Sequence, residues 1–164
     1  MSPVARISKH HGLGNDFLVW KNGDVTRGPA LAMRWCDRHR GIGADGLMIA
    51  EPISEREWRM ALFNADGSRA EMSGNGIRCF AQAVADGAEG LFTVVTDAGV
   101  RSVEVVATDD PLTIVASVDM GLVRPGRASS HWASVGAHPD RPVEHLDLGN
   151  PHTVVGVGDV HSVD

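Results

Sequence analysis

The spacing of apolar positions along the chain predicts two helices. Residues 74–85 place their apolar side chains three and four positions apart, as on one face of a helix. These side chains are Ile77, Phe80, Ala81 and Val84. Pro29 suits a first helical turn, and the apolar spacing that follows it predicts a second helix to about Asp37. The 74–85 helix is short and mostly apolar, so we expect it to be buried.

Alternating or β-branched runs predict strands elsewhere in the chain. The predicted strands are 4–8, 17–20, 45–51, 58–64, 91–96, 100–108, 112–120, 143–149 and 152–157. Residues 9–16 read as a polar loop, 91–120 as an antiparallel meander, and 121–142 as a connector with several prolines. The expected fold class is α+β, with one buried helix against a curved sheet that is mixed and mainly antiparallel.

Composition limits the classes of protein and partner. The chain has 164 residues, of which 43% are hydrophobic and 22% charged, as in a globular domain with a real core. A formal net charge of −6 argues against nucleic acid as a partner. No apolar run reaches the ~20 residues of a membrane span, and the N-terminus has no apolar signal core. We therefore expect a cytoplasmic protein with no membrane partner and with reduced cysteines.

Two motifs are rejected on their context. G-I-G-A-D-G (41–46) spells a dinucleotide fingerprint, but here a predicted helix precedes the glycines and a strand follows them, which reverses the required order. A helix-to-strand turn is the better interpretation. Cys36 and His39 have no second ligand pair, so we predict no metal site.

S-G-N-G (73–76), at the start of the predicted buried helix, is the strongest local signal. A helix N-terminus carries unpaired N–H groups and a partial positive charge, which favour a carboxylate or phosphate. Glycines at 74 and 76 would let a ligand approach the backbone. The simpler alternative is that Ser73 is only an N-cap and the glycines form an entry turn. The residues alone leave both interpretations open.

Three asparagines also have two interpretations. Asn15 lies in the glycine loop H-G-L-G-N-D-F, Asn64 ends a predicted strand, and Asn150 precedes a proline. A side-chain amide can donate to and accept from a polar substrate. An asparagine beside glycine is more often a turn residue bonded to its own backbone, and for Asn15 taken alone we favour the turn.

Four segments in one order resemble the diaminopimelate epimerase family. They are H-G-L-G-N-D-F, D-R-H-R-G-I-G-A-D-G, F-N-A-D-G-S-x-A-E-M-x-G-N-G-I-R-C and G-N-P-H, spread from residue 11 to residue 152. The resemblance implies cofactor-independent inversion of the α-carbon of L,L-diaminopimelate to the meso compound, a precursor of lysine and of bacterial cell wall. It implies two similar domains with the substrate between them, and two cysteines that remove and deliver the proton from opposite faces.

The resemblance also assigns residues. The family's first catalytic cysteine falls on Ser73, and the amides at the substrate carboxylate fall on Gly74 and Asn75. Substrate contacts fall on Asn15, Asn64 and Asn150, and the adjacent site histidine on His152. Cys79 lies further into the helix and does not match a catalytic cysteine. The resemblance implies no cofactor and no metal; family members are often dimeric.

Two departures from the family pattern follow. Ser73 replaces a thiol, either as a deliberate substitution or as a natural variant, since serine replaces a cysteine in some members of the related proline racemase group. The second departure is that the second domain is incomplete. The expected domains are 1–120, epimerase-like, and 121–164, a connector with the opening strands of that second domain. We therefore expect the chain alone to be inactive and to need the remainder of that domain. The alternatives are an inactive carboxylate-binding fragment or another isomerase of the proline-racemase-like group.

Overall fold

The computed structural model describes residues 6–128, 132 and 141–162, and the chain divides into two compact units at Met120–Gly121. The helices are α1 (Gly28–Trp35) and α2 (Gly74–Ala85), with single 3-10 turns at Val25–Arg27 and Val160–Ser162. The strands of the first unit are β1 (Ile7–Gly12), β2 (Asn15–Lys21), β3 (Gly46–Pro52), β4 (Glu57–Asn64), β5 (Arg69–Ala70), β6 (Gly90–Thr96), β7 (Gly99–Ala107) and β8 (Ile114–Val118). Those of the second unit are β9 (Arg124–Pro125), β10 (Val143–Asp147) and β11 (Pro151–Val155).

The first unit is a single eight-stranded sheet in the order β1-β2-β3-β4-β6-β7-β8, with β5 paired to β4. The β2–β3 and β4–β6 pairs are parallel and the others antiparallel. Helix α2 contacts β1 and β2 at one end of this order and β7 and β8 at the other, so the sheet curls around it. The α+β prediction is confirmed, including the mainly antiparallel sheet and the central helix.

Helix α2 is buried because its apolar side chains face the inner surface of the sheet. Ile77 and Phe80 are fully buried in a core that includes Phe17 from β2 and Met48 from β3. The Ser73 cap fixes where the helix begins, and Asp86 in the left-handed region ends it after Ala85. The helix predicted for 74–85 is therefore confirmed at both ends.

Helix α1 covers the opposite face of the same strands. Leu31 and Ala32 pack there with Leu18, Leu47 and Phe63, which alternate along their strands with side chains that face α2. Both faces of β2, β3 and β4 are thus covered, which explains why these strands are nearly continuous apolar runs. The helix ends at Trp35, two residues before the predicted end.

The polar loop predicted for 9–16 is wrong. Residues 7–12 and 15–21 form an antiparallel hairpin in which Gly12 pairs with Asn15. The two turn residues are Leu13 and Gly14, at φ values of 56° and 87°. β1 is an edge strand with exposed positions, so it tolerates the histidines and lysine that made it look like a loop.

Other predictions hold with shifted ends. β6, β7 and β8 form the expected antiparallel meander, but β8 begins at Ile114 because the Asp110 side chain accepts from the Leu112 N–H and holds a turn there. The glycines at 41–46 do form a helix-to-strand turn, between α1 and β3. No described helix has the length and apolarity that a membrane crossing requires.

The second unit is a three-stranded antiparallel sheet in the order β11-β10-β9. The strands predicted for 143–149 and 152–157 are present as β10 and β11, each slightly shorter. The connector predicted for 121–142 contains the short strand β9, and much of the rest of it, 129–131 and 133–140, lies outside the described residues.

Candidate active site at the N-terminus of helix α2

Ser73 is the N-cap of α2. Its backbone is extended, at φ −142° and ψ 121°, and its Oγ accepts from the Gly76 N–H at 3.0 Å. The Ser73 carbonyl accepts the first helical bond, from the Ile77 N–H at 2.8 Å. A Cβ added to Gly76 would lie 2.9 Å from the Ser73 Cβ, so a glycine is needed for this cap geometry. The N-cap interpretation of Ser73 therefore holds.

The cap leaves donors for a ligand. Within the part of the chain that the structure describes, the N–H groups of Gly74 and Asn75 have no acceptor. Around a Cβ added to Gly74, the Met120 Cε at 3.8 Å is the one described contact, so the backbone there is open. Two unpaired N–H groups at a helix N-terminus can bind a carboxylate. Capping by Ser73 and anion binding are therefore compatible.

No described partner of Ser73 could activate it as a base. Among the described residues, its Oγ has the Gly76 N–H as its hydrogen-bond partner, and no histidine, lysine or carboxylate contacts it. A serine hydroxyl without a neighbouring base is a weak proton acceptor. The geometry suits Ser73 to donate its own hydrogen to an anion.

Asn15 is not the turn residue. The positive φ values belong to Leu13 and Gly14, and Asn15 is the first residue of β2. Its Nδ2 donates to the Asp45 Oδ2 at 2.7 Å, across 30 positions of sequence. The favoured turn interpretation of Asn15 is therefore wrong, because the side chain is held by a distant carboxylate.

A cluster of charges that the sequence analysis missed holds this end of the sheet. Asp16 is buried; its carboxylate accepts from Arg38 at 2.7 and 3.1 Å and pairs with Lys9 at 3.0 Å. Arg38 also binds Asp45, at 2.7 Å. The Arg38 hydrogen bonds, aided by Lys9, hold the pKa of Asp16 well below its usual range. We call Lys9, Asp16, Arg38 and Asp45 the aspartate cluster.

The signal for this cluster was present in the sequence. Asp16 belongs to H-G-L-G-N-D-F, while Arg38 and Asp45 belong to D-R-H-R-G-I-G-A-D-G. Taken alone, the basic run D-R-H-R (37–40) is typical of a solvated helix end. Arg38, though half-exposed, instead joins two aspartates from different segments.

Asn64 lies at the same end of the sheet. It pairs with Gly46 at the end of β4, and its Nδ2 donates to the Ser68 Oγ at 2.9 Å in the turn that follows. Gly46 in turn pairs with Phe17, whose ring contacts the α2 N-terminus near Gly76.

Asn15 also lies beside the helix N-terminus. It pairs with Gly12, and a Cβ added to Gly12 would lie 3.6 Å from the Asn75 Cβ. The first unit thus brings five of the predicted site residues to one end of its sheet: Asn15, Asn64, Ser73, Gly74 and Asn75.

Asn150 and His152 belong to the second unit. His152 is exposed, and its Nδ1 lies 2.9 Å from the Asn150 carbonyl oxygen at the β10–β11 turn. The Asn150 Oδ1 is buried with no hydrogen-bond partner in the described chain. An unsatisfied amide oxygen of this kind can accept a hydrogen bond from a ligand or from water.

Neither cysteine is a candidate base. Both are buried, and burial raises the pKa of the Cys36 thiol and of the Cys79 thiol to about 11. A thiol with this pKa is almost wholly protonated near neutral pH. His39 is exposed, whereas Cys36 is buried.

Comparisons with known proteins agree on one family. The family model described as diaminopimelate epimerase matches residues 7–124. A diaminopimelate epimerase of Prochlorococcus marinus is 34% identical over 186 residues, covering 99% of this chain and 60% of the relative. One from Synechococcus elongatus is 36% identical over 177 residues, covering 96% of this chain and 61% of the relative.

The structural comparison supports the fold. A solved structure of a predicted epimerase from Pseudomonas aeruginosa aligns with a TM-score of 0.69 and 14% identity, covering 88% of this chain and 54% of that one. The chain thus spans roughly three fifths of the length of the curated relatives above, 60% and 61%.

Proposed function

Because the chain belongs to the diaminopimelate epimerase family, a family of isomerases, we propose that it forms one half of a site that inverts the α-carbon of diaminopimelate. The observation that carries this proposal is the α2 N-terminus, where Ser73 caps the helix while the N–H groups of Gly74 and Asn75 have no acceptor among the described residues. In this proposal the substrate α-carboxylate binds to those two groups. By family correspondence, the proposed epimerisation uses no cofactor.

The electrostatics favour such binding. The helix N-terminus carries a partial positive charge, which also stabilises the negative charge that develops as the α-proton leaves. Asn15 and Asn64, at the same end of the sheet, are the proposed contacts to the rest of the substrate. Asn150 and His152, from the second unit, are proposed contacts by family correspondence alone.

Ser73 occupies the position of the family's first catalytic cysteine and is poorly suited to its role. A cysteine at a helix N-terminus has a lowered pKa and supplies thiolate near neutral pH. The Ser73 hydroxyl accepts from the Gly76 N–H and has no base among the described residues to activate it. We therefore propose that proton removal from this face is slow in the chain as it stands.

Deuterium exchange at the α-carbon tests the proposal. Diaminopimelate is incubated in D2O with the unmodified form, with Ser73→Cys and with Ser73→Ala, each assembled with the remainder of the second domain that the proposal requires, and label is followed by mass spectrometry. Ser73→Cys is expected to exchange about 10²–10⁴ times faster, the usual contribution of a positioned base. The Ala variant should match the serine form. Equal rates for serine and cysteine would refute the argument about Ser73.

The alternative is a binding module without catalysis. A carboxylate-binding protein would hold diaminopimelate at the α2 N-terminus, yet no variant at position 73 would exchange label. Another isomerase of the proline-racemase-like group is less favoured, because A-D-G-S-x-A-E-M and G-N-P-H match the diaminopimelate epimerase pattern.

The proposed partners are the substrate, the remainder of the second domain and a second copy of the protein. Denaturing and native mass spectrometry of the purified sample tests the last two. A second polypeptide or a doubled mass under native conditions would support an assembled site. A lone 17.4 kDa species would count against both macromolecular partners.

A further inference from the structure

We propose that Asp45 is a positioning residue, which orients the side-chain amide of Asn15 so that its Oδ1 faces the ligand as an acceptor. An acceptor such as this Oδ1 fits an ammonium group of the ligand and does not fit a carboxylate. The inference deepens the proposed function and takes its ligand, diaminopimelate, from it. The orientation of the amide itself can be measured without any ligand.

The amide orientation follows from its partner. A carboxylate only accepts hydrogen bonds, so the Asn15 atom that lies 2.7 Å from the Asp45 Oδ2 must be the Nδ2. Turning the amide over would put its oxygen against the carboxylate oxygen, which is repulsive. Oδ1 is then the unsatisfied atom of this side chain, because no donor among the described residues contacts it.

Asp45 is itself held firmly. Its Oδ2 also accepts from the Asp16 N–H at 3.0 Å, and its Oδ1 accepts from Arg38 at 2.7 Å. Arg38 is fixed in turn by two bonds to Asp16, whose side chain is only 12% exposed. Three donors on one carboxylate, one of them a bridging arginine, fix its orientation and so the direction of the bond to Asn15.

The charge beside the Asn15 side chain disfavours an anionic ligand. Lys9 and Arg38 balance Asp16 and Asp45, so the aspartate cluster is neutral as a whole. The Asp45 side chain is nevertheless 41% exposed, so a ligand atom that reaches Asn15 also approaches a carboxylate. An ammonium gains from both groups, whereas a carboxylate would be repelled by Asp45. This contrasts with the α2 N-terminus, which is suited to an anion.

NMR of the chain labelled with ¹⁵N-asparagine measures the orientation. The Asn15 side-chain protons, assigned by their loss in Asn15→Ala, are compared with those of Asn22, an exposed asparagine whose side chain has no described hydrogen bond. One Asn15 proton should lie downfield and exchange with water about tenfold more slowly, because a hydrogen bond to a charged group holds it. Asn15 protons that behave like those of Asn22 would overturn the proposal without any variant.

Two variants then separate positioning from general stability. Asp45→Asn should abolish the downfield shift. Asp24→Asn should not, because the described hydrogen bonds of this exposed carboxylate come from Thr26 alone. If the downfield shift survives in a folded Asp45→Asn chain, the Asn15 side-chain proton is bonded to another acceptor. Backbone spectra of both variants report whether they remain folded.

Ligands added to the uniformly ¹³C- and ¹⁵N-labelled chain test whether Asn15 recognises an ammonium or a carboxylate. Diaminopimelate should move the Asn15 side-chain carbonyl carbon, whereas pimelate, with the same two carboxylates and no ammonium, should leave it unchanged. Movement of the Asn15 Nδ2 protons by pimelate would overturn the acceptor assignment. If neither ligand perturbs Gly74, the proposed function fails, while the spectrum of the free chain still decides whether Asp45 positions Asn15.

Discussion

The side-chain carboxylates of Asp16 and Asp45 each accept a hydrogen bond from the backbone N–H of the other residue. The Asp45 N–H donates to the Asp16 Oδ1 at 3.1 Å, and the Asp16 N–H donates to the Asp45 Oδ2 at 3.0 Å. Two carboxylates this close would repel each other, and Arg38 compensates by bonding to both. This arrangement joins the starts of β2 and β3 beside the residues proposed to bind substrate.

The first prediction concerns acid. Because the folded-state pKa of Asp16 lies below its unfolded value, this carboxylate stabilises the fold above its ordinary pKa of about 3.9. That stabilisation should be lost as the pH falls below this value towards the lowered pKa. Urea unfolding at a series of pH values from 6 to below 4 measures it. Asp16→Asn should reduce the fall in the free energy of unfolding at acid pH. An unchanged fall would contradict the prediction.

The second prediction concerns Arg38. Arg38→Gln leaves Asp16 and Asp45 close together without their shared cation, so the urea midpoint should fall, and added salt should restore part of the loss by screening. The matched control is Arg40→Gln, in an exposed arginine of the same basic run whose side chain has no described partner. Equal effects of the two variants would show that Arg38 acts only as surface charge.

The third prediction compares two glycines of one helix turn. Gly76→Ala places a Cβ 2.9 Å from the Ser73 Cβ and 3.1 Å from its Oγ, and should destabilise the fold by about 1–3 kcal/mol. The Cβ of Gly74→Ala has the Met120 Cε at 3.8 Å as its described contact, so this variant should be neutral or slightly stabilising. Thermal unfolding of both variants measures the difference. A Gly76→Ala protein as stable as the Gly74→Ala protein would mean that the cap is not rigid.

The fourth prediction concerns thiol reactivity. Burial raises the pKa of Cys36 and Cys79 to about 11, so both should be inert to a disulfide reagent at pH 7 until the chain unfolds. Ser73→Cys should add a single fast-reacting thiol, since the helix N-terminus favours its thiolate. Rates followed from pH 5 to 9 measure its pKa. Slow reaction of the introduced thiol would contradict the proposed electrostatics of this site.

The features of the fold that depend on the spacing of residues within one short segment could be predicted from the sequence. Helix α2 was predicted with correct ends because an N-cap serine and the apolar positions after it are features of one short segment. The β1–β2 hairpin was missed because an edge strand accepts polar residues, and because a leucine at positive φ is a rare turn residue. The bond from Asn15 to Asp45 could not be predicted, since it depends on the parallel pairing of strands that are distant in sequence.

The measurement that tests the central claim most directly is a titration of the ¹⁵N-labelled chain with diaminopimelate, followed at the backbone N–H groups of Gly74 and Asn75. The account predicts that these two resonances move most and saturate, because the α-carboxylate binds to them. Pimelate should move them as well, since it carries carboxylates. Saturable shifts elsewhere with Gly74 and Asn75 unmoved, or no shifts at all, would contradict the account.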